Sequence, residues 1–357
     1  MPKKVKAKIV LKGGFTLFGY SFGAPVSSAG EVVFNTSMVG YPEGLTDPSY
    51  KGQIFVFTYP LIGNYGVPGD KMVKNIQQNF ESEKIHVRGV VISDLCMEPS
   101  HHESVKTLDK WLKNQGISGI YGVDTRELTK RLREKGSSLG KIIVDKDIPF
   151  YDPNKENLVE QVSCKERVVY GKGKTRILLI DCGVKNNIIR SFVQRDCTVI
   201  RVPYDYDFSN EDYDGVFISN GPGDPKMCQA AIKNIKKELN GQKPVFGICM
   251  GNQILALAAG ANTYKLKYGH HAVNQPCVDL ETGRCYITSQ NHGYAVDAKT
   301  LPESFQPWFE NANDKTNEGI RHRTKPFFSV QFHPEASPGP TDTAYLFDYF
   351  LDCVRRA

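Results

Sequence analysis

Long hydrophobic runs are missing from this chain of 357 residues. No stretch approaches the roughly eighteen apolar residues that a membrane-spanning helix needs, so none is expected. The N-terminus carries charges with no apolar segment behind them, so no signal peptide is expected. Paired cysteine motifs are missing too. The nine cysteines are odd in number, scattered, and never spaced C-x-x-C. That pattern argues against a disulfide framework and a zinc site and points to a reducing, cytoplasmic setting. His101-His102 and His270-His271 lack the i, i+4 spacing of helix-borne ligands, so no metal is expected. Internal repeats and low-complexity tracts are also absent.

Nor is charge of one sign concentrated. The 45 basic and 39 acidic residues leave a net +6 spread along the chain. Its densest basic run, "PKKVKAK" at residues 2–8, reads as a solvated tail and not as a nucleic-acid site. The "GKT" of "YGKGKT" is no phosphate loop, because Val168 stands where the first glycine belongs and the strand follows the motif instead of preceding it.

The length implies more than one domain, and the two halves differ. Residues 1–145 are rich in β-branched residues, glycine and turn signals. "KIVLKGGFTLFGYSFG" breaks at Gly13-Gly14 as a hairpin does, and "GEVVFNTS", "QIFVFTYP" and "VRGVVISDL" read as short strands. One clear helix, residues 123–136, has Leu128 and Leu132 at i, i+4, Asp124 or Thr125 as N-cap and Gly136 as its stop. Residues 146–174 read as a linker. From residue 175 to 357, fully apolar strands ("RILLID", "TVIRVP", "DGVFIS", "PVFGIC") alternate with helices, the pattern of a mostly parallel sheet covered on both faces. The expected fold is therefore α/β in the second half, with a β-rich α+β domain before it.

At "PVFGICMGNQ" a strand runs into a helix through Gly247-x-Cys249-x-Gly251, the cysteine form of a nucleophile elbow. Gly247 and Gly251 permit the tight turn, which is expected to push the Cys249 sulfur into the open. The helix start favours a thiolate and a developing oxyanion. A buried structural cysteine is the alternative, and a partner base decides between them. His292 in "SQNHGYAV" is one candidate. His333 is the other, with Glu335 two residues on. Pro334 keeps the segment extended, so Glu335 projects beside the ring and can fix its tautomer. In "FISNGPGDP", Gly221 and Gly223 follow a buried strand; a phosphate cradle, an oxyanion hole and a plain turn all fit.

"NGPGDP", "GICMGNQ" and "FHPE", in that order, resemble the class I (triad) glutamine amidotransferases. "GEVVFNTSMVGYPEGLTDPSYKGQI", "TYPLIGNYG" and "GVDTRELTKRLREKG" resemble the N-terminal domain of the small, glutaminase subunit of carbamoyl-phosphate synthetase. The resemblance covers almost the whole chain. It implies hydrolysis of L-glutamine through a cysteinyl thioester to glutamate and ammonia. Ammonia would pass to a large subunit or fused synthetase domains, where ATP, Mg and bicarbonate are expected; no cofactor is expected in this chain. It also implies Cys249 as nucleophile, His333 as base then acid, Glu335 as its orienter, and an oxyanion hole from the N–H groups of Gly223 and Met250. The implied glutamine contacts are Ser49, Gly221, Gly223, Met250, Gln253, Asn291, Gly293 and Tyr294. Asn252 departs from the family's usual histidine, Met250 from its leucine and Tyr294 from a frequent phenylalanine. Two other readings stay open: a non-catalytic or weakly active glutamine-binding regulatory module, and a stand-alone cysteine hydrolase of γ-glutamyl substrates.

Overall fold

A computed structural model describes residues 4–357. It divides into two compact units, Met1–Lys71 with Gln77–Lys155 and Lys267–His271, and Met72–Ile76 with Glu156–Leu266 and Ala272–Ala357. Pro2 and Lys3 of the basic run lie outside the described residues. The rest of that run is not all tail, since Lys6 opens the first strand. Among the described residues no helix is long and apolar enough to cross a membrane.

The first unit is built on a closed barrel. Its strands are β1 (Lys6–Leu11), β2 (Thr16–Gly23), β3 (Ser28–Asn35), β4 (Gln53–Phe57), β5 (Gly89–Val91), β6 (Ser118–Tyr121) and β7 (Ser138–Ile143), in the order β1-β7-β3-β4-β5-β6-β2. Closure leaves no unpaired sheet edge. Gly13 and Gly14, at φ 100° and 90°, make the expected turn between β1 and β2. Helix α3 (Thr125–Lys135) begins where Asp124 accepts the Glu127 N–H at 2.8 Å and ends at Gly136; its Leu128 and Leu132 are buried in the core with Val32, Ile54 and Ile142. Two helices were not legible, α1 (Tyr41–Thr46) and α2 (Leu108–Asn114). Each is at most two turns long, too short for apolar periodicity to register.

The second unit carries a ten-stranded sheet. Its strands are β8 (Val168–Tyr170), β9 (Thr175–Asp181), β10 (Cys197–Pro203), β11 (Gly215–Ile218), β12 (Val245–Ile248), β13 (Asn262–Asp279), β14 (Cys285–Asp297), β15 (Phe305–Asn311), β16 (Asn317–His322) and β17 (Phe327–Val330). The order is β8-β10-β9-β11-β12-β17-β16-β15-β13-β14. Strands β10, β9, β11, β12 and β17 run parallel, and the remaining pairings described are antiparallel. The stretch read as linker carries regular structure from the short turn Pro153–Lys155 onward. Helix α4 (Leu158–Val162) buries Leu158 and Val159, and β8 adds an edge to β10. These pieces bring only two or three apolar residues each, so composition alone does not reveal them.

Because parallel strands point successive side chains to opposite faces, each face packs its own layer. Phe217 and Phe246 meet Phe192 of α5 (Asn186–Gln194) and Phe347 and Phe350 of α8 (Tyr345–Arg356). Val216, Ile218 and Val245 meet α6 (Gln229–Glu238) and α7 (Met250–Ala259) through Ala231, Ile235, Ile254 and Leu255. Phe350 is fully buried, its ring 5.7 Å from Phe246 and 6.0 Å from Phe192. Phe350→Ala is expected to destabilise the chain by ~3–5 kcal/mol in urea unfolding. A loss under ~1 kcal/mol would mean that α8 does not close this face.

Candidate active site

Neighbouring parallel strands end at one edge of the sheet, and there the second unit gathers its polar and reactive groups. Loops after β9, β11, β12 and β17 supply Lys185, Gly221 to Gly223, Cys249 and His333 in turn.

Cys249 is the residue between β12 and α7. Its φ of 56° and ψ of −103° are costly for a side-chain-bearing residue, ~1–3 kcal/mol. The strain persists because the flanking backbone fits only without side chains. A Cβ on Gly251 would lie 2.2 Å from the Ile218 carbonyl oxygen, and one on Gly247 would lie 2.5 Å from that of Gly251. The Cys249 N–H donates to the Val330 carbonyl at 2.9 Å, which ties the turn to β17. The sulfur is not in the open as the sequence suggested: Cys249 is 2% exposed, and Sγ donates to the Asn291 carbonyl at 3.6 Å. The strand β14, passing over the turn, covers it.

His333 follows β17 by three residues and is buried. Its Nδ1 donates to Glu335 Oε1 at 2.6 Å, so the expected His-Pro-Glu pairing forms, inside the protein and not on a surface turn. Nε2 has no hydrogen-bond partner among the described residues, and Cys249 is the group that acts on the ring besides Glu335. Burial works against a charged ring, but the Glu335 carboxylate and then the Cys249 side chain outweigh it. The ring's pKa stands well above the ordinary histidine range. Glu335 is equally buried. Burial pushes its carboxyl up, yet the Lys185 ammonium and then His333 hold it well below the usual carboxylate range.

Lys185 escaped the sequence reading. Its Nζ lies 3.1 Å from Glu335 Oε1, with both side chains buried, and it also donates to the Ala336 carbonyl. Asn187 Nδ2 donates to the Glu335 carbonyl. One signal was available. Lys185 caps the N-terminus of α5, where a cation opposes the helix dipole and needs another reason to be present.

The glycine loop after β11 lies against the loop after β9. Cys182 N–H donates to Ser219 Oγ at 2.9 Å, Lys185 N–H donates to Asn220 Oδ1 at 3.1 Å, and Gly223 takes φ 84°. Met250 is the first residue of α7. Asn252 and Gln253 return their N–H groups to the Cys249 carbonyl, while those of Met250 and Gly251 stand ahead of the helix's own ladder. Gln253 Nε2 donates to the Tyr294 carbonyl at 2.8 Å. Asn291, Gly293 and Tyr294 lie together on β14, with open space over Gly293. His292, the other candidate base, is engaged elsewhere: Nδ1 lies 2.8 Å from the Tyr294 carbonyl and Nε2 lies 3.1 Å from Gln290 Oε1. Ser49 belongs to the first unit, in the short turn Pro48–Tyr50, where its N–H donates to Asp47 Oδ1 at 2.8 Å. Four other buried thiols fit the structural alternative. Burial pushes Cys182, Cys197, Cys228 and Cys277 up, Cys197 to about 11 and Cys228 to about 12.

Two family models divide the chain between them. Residues 9–142 match the carbamoyl-phosphate synthase small chain, CPSase domain, and residues 178–353 match glutamine amidotransferase class-I. The carbamoyl phosphate synthase arginine-specific small chain of Saccharomyces cerevisiae is 52% identical over 98% of this chain and 89% of that one. Its counterpart from Candida albicans is 50% identical, over 98% and 85%. Multifunctional protein CAD of Squalus acanthias is 53% identical over 98% of this chain, which spans 16% of that longer protein. On these matches the chain belongs to the carbamoyl-phosphate synthase small-chain family, and its second unit carries the class I glutamine amidotransferase domain.

Proposed function

We propose that this chain hydrolyses L-glutamine to glutamate and ammonia and serves as the glutaminase component of a glutamine-dependent carbamoyl-phosphate synthetase. One observation carries the reading: a cysteine held at positive φ on a helix start, facing a histidine whose other nitrogen is bonded to a buried carboxylate. A buried structural thiol has no use for that arrangement. The reducing, cytoplasmic setting expected from the cysteines suits the chemistry.

In the proposed mechanism, the Cys249 sulfur attacks the side-chain amide carbon of glutamine. Electrons move to the amide oxygen, which the N–H groups of Gly223 and Met250 would hold. The His333 imidazolium gives its Nε2 proton to the amide nitrogen, the C–N bond breaks, and ammonia leaves. The neutral ring then takes a proton from water as water attacks the thioester, and the C–S bond breaks to release glutamate. Glu335 keeps the ring oriented and steadies its charge, and Lys185 keeps Glu335 ionised. Gln253, Asn291, Gly293 and Tyr294 are proposed to contact the bound glutamine, together with Gly221, Gly223 and Met250. ATP, Mg and bicarbonate are assigned to a synthetase partner, as a separate large subunit or as domains of a longer polypeptide; the relatives include both small chains and a multifunctional protein.

A glutaminase assay with and without that synthetase tests the reading: slow hydrolysis alone and faster hydrolysis with the partner are expected. Cys249→Ala is expected to abolish hydrolysis while glutamine still binds, and full activity in that variant would remove Cys249 from the mechanism. The pH dependence of kcat/KM tests the His333-Glu335 pair. An imidazolium held above its ordinary pKa stays protonated until pH rises through that raised value. Glu335→Gln removes the main raising interaction, so the alkaline limb is expected to move to lower pH. An alkaline limb that stays in place would assign it to another group.

A further inference from the structure

Asn252, the departure in the nucleophile motif, lies at the centre of a buried chain of amides. Its Oδ1 accepts from Ser329 Oγ at 2.8 Å, and its Nδ2 donates to Gln331 Oε1 at 3.1 Å. The same oxygen accepts from Gln253 Nε2 at 3.1 Å, and Gln253 Nε2 also donates to the Tyr294 carbonyl at 2.8 Å. Asn252, Ser329 and Gln331 are fully buried, and Gln253 nearly so.

The polarity of this chain is set from one end. A backbone carbonyl accepts only, so Gln253 must turn Nε2 toward Tyr294. Its second N–H then requires an acceptor, which orients Gln331 with its oxygen inward. That oxygen takes a second donor from Asn252, whose own oxygen turns to the Ser329 hydroxyl. Gln331 Nε2 is left without a partner among the described residues. Reversing the Gln331 amide would set Nε2 against two donors and break both bonds, so the single unpaired N–H is the smaller cost. With both N–H groups of Gln253 used inside the protein, only its Oε1 remains for a ligand. Whatever it meets must donate.

We infer that Gln331 and Asn252 are positioning residues which, with the Tyr294 carbonyl, hold the Gln253 amide in one orientation by engaging its second N–H, so that Gln253 accepts a hydrogen bond from an N–H group of bound glutamine. The inference rests on the glutaminase reading above. A histidine at position 252 could serve the same bonds only in one of its protonation or tautomeric states, whereas the asparagine has no proton to gain or lose. The same bonds join the first turn of α7, which follows Cys249, to the segment that leads from β17 into His333.

The test compares two near-isosteric changes in the full-length protein with its synthetase present. Asn252→Asp puts an acceptor against Gln331 Oε1 and reverses the chain. KM for glutamine is expected to rise about tenfold or more, the equivalent of one lost hydrogen bond, with kcat within about twofold. Gln331→Glu keeps an acceptor oxygen for both donors, and its KM is expected to rise far less than that of Asn252→Asp. Protection of Cys249 from alkylation by glutamine gives the affinity without turnover, and Asn252→Ala serves in its place if Asn252→Asp does not fold, again with a raised KM. Equal effects of Asn252→Asp and Gln331→Glu, or an effect on kcat alone, would overturn the inference. A wild-type protein that neither hydrolyses glutamine nor is protected by it would instead overturn the glutaminase reading and this one with it. Wild-type turnover with a KM that no variant changes would overturn this one alone.

Discussion

A carboxylate shut away from water, Glu335, is the constraint around which the reactive edge of the sheet is arranged. An ionised carboxyl with no solvent contact costs several kcal/mol unless its charge is met inside the protein. Lys185 Nζ at 3.1 Å and His333 Nδ1 at 2.6 Å meet it here. The need for them accounts for features that look unrelated. A lysine stands at the start of α5, against the dipole of that helix. The loop after β9 is drawn to the loop after β17, although nearly 150 residues of chain separate Lys185 from Glu335. The imidazole is held in one tautomer with its second nitrogen toward Cys249. Take away the buried anion and each of these becomes an unexplained expense.

The parallel sheet makes that meeting possible. Strands β9, β11, β12 and β17 are successive neighbours and share a direction, so their carboxyl ends reach one edge. The register Ile248↔Val330 sets Cys249 level with the end of β17, and the Cys249 N–H bond to the Val330 carbonyl fixes it there. From that point His333 is three residues away. Cys249 and His333, 84 positions apart in sequence, are brought to one edge by strand pairing that also buries Phe246 against Phe328.

What could be read in the sequence follows from distance along the chain. Gly247, Cys249 and Gly251 declare themselves because a strained turn needs small residues at fixed short spacing. His333 and Glu335 declare themselves because i, i+2 side chains share a side in extended backbone. Lys185, Ser329 and Gln331 do not, since their partners are set by which strands become neighbours, and no local pattern encodes that. The first unit behaves the same way. The strands and the Gly13-Gly14 turn were legible, but closure of the barrel depends on β1 pairing with β7, more than 120 positions on. Burial of the cysteine was misjudged for a related reason. The turn does present Sγ outward from its own backbone, but β14, from a later part of the chain, lies over it.

The order of charges bears on how the proposed reaction begins. Lys185, Glu335 and His333 form a row in which each group contacts the next, and Cys249 acts on the far side of the ring. With the shared proton on the ring, the four groups alternate plus, minus, plus, minus; with the proton on sulfur, the last two are neutral. Glu335 favours the first arrangement by stabilising the imidazolium. Burial opposes a charged ring, and the Glu335 carboxylate is what offsets it. In that arrangement His333 has no proton to remove when glutamine arrives. In the proposed reaction such a ring would first protonate the departing amide nitrogen and would act as a base once the thioester has formed.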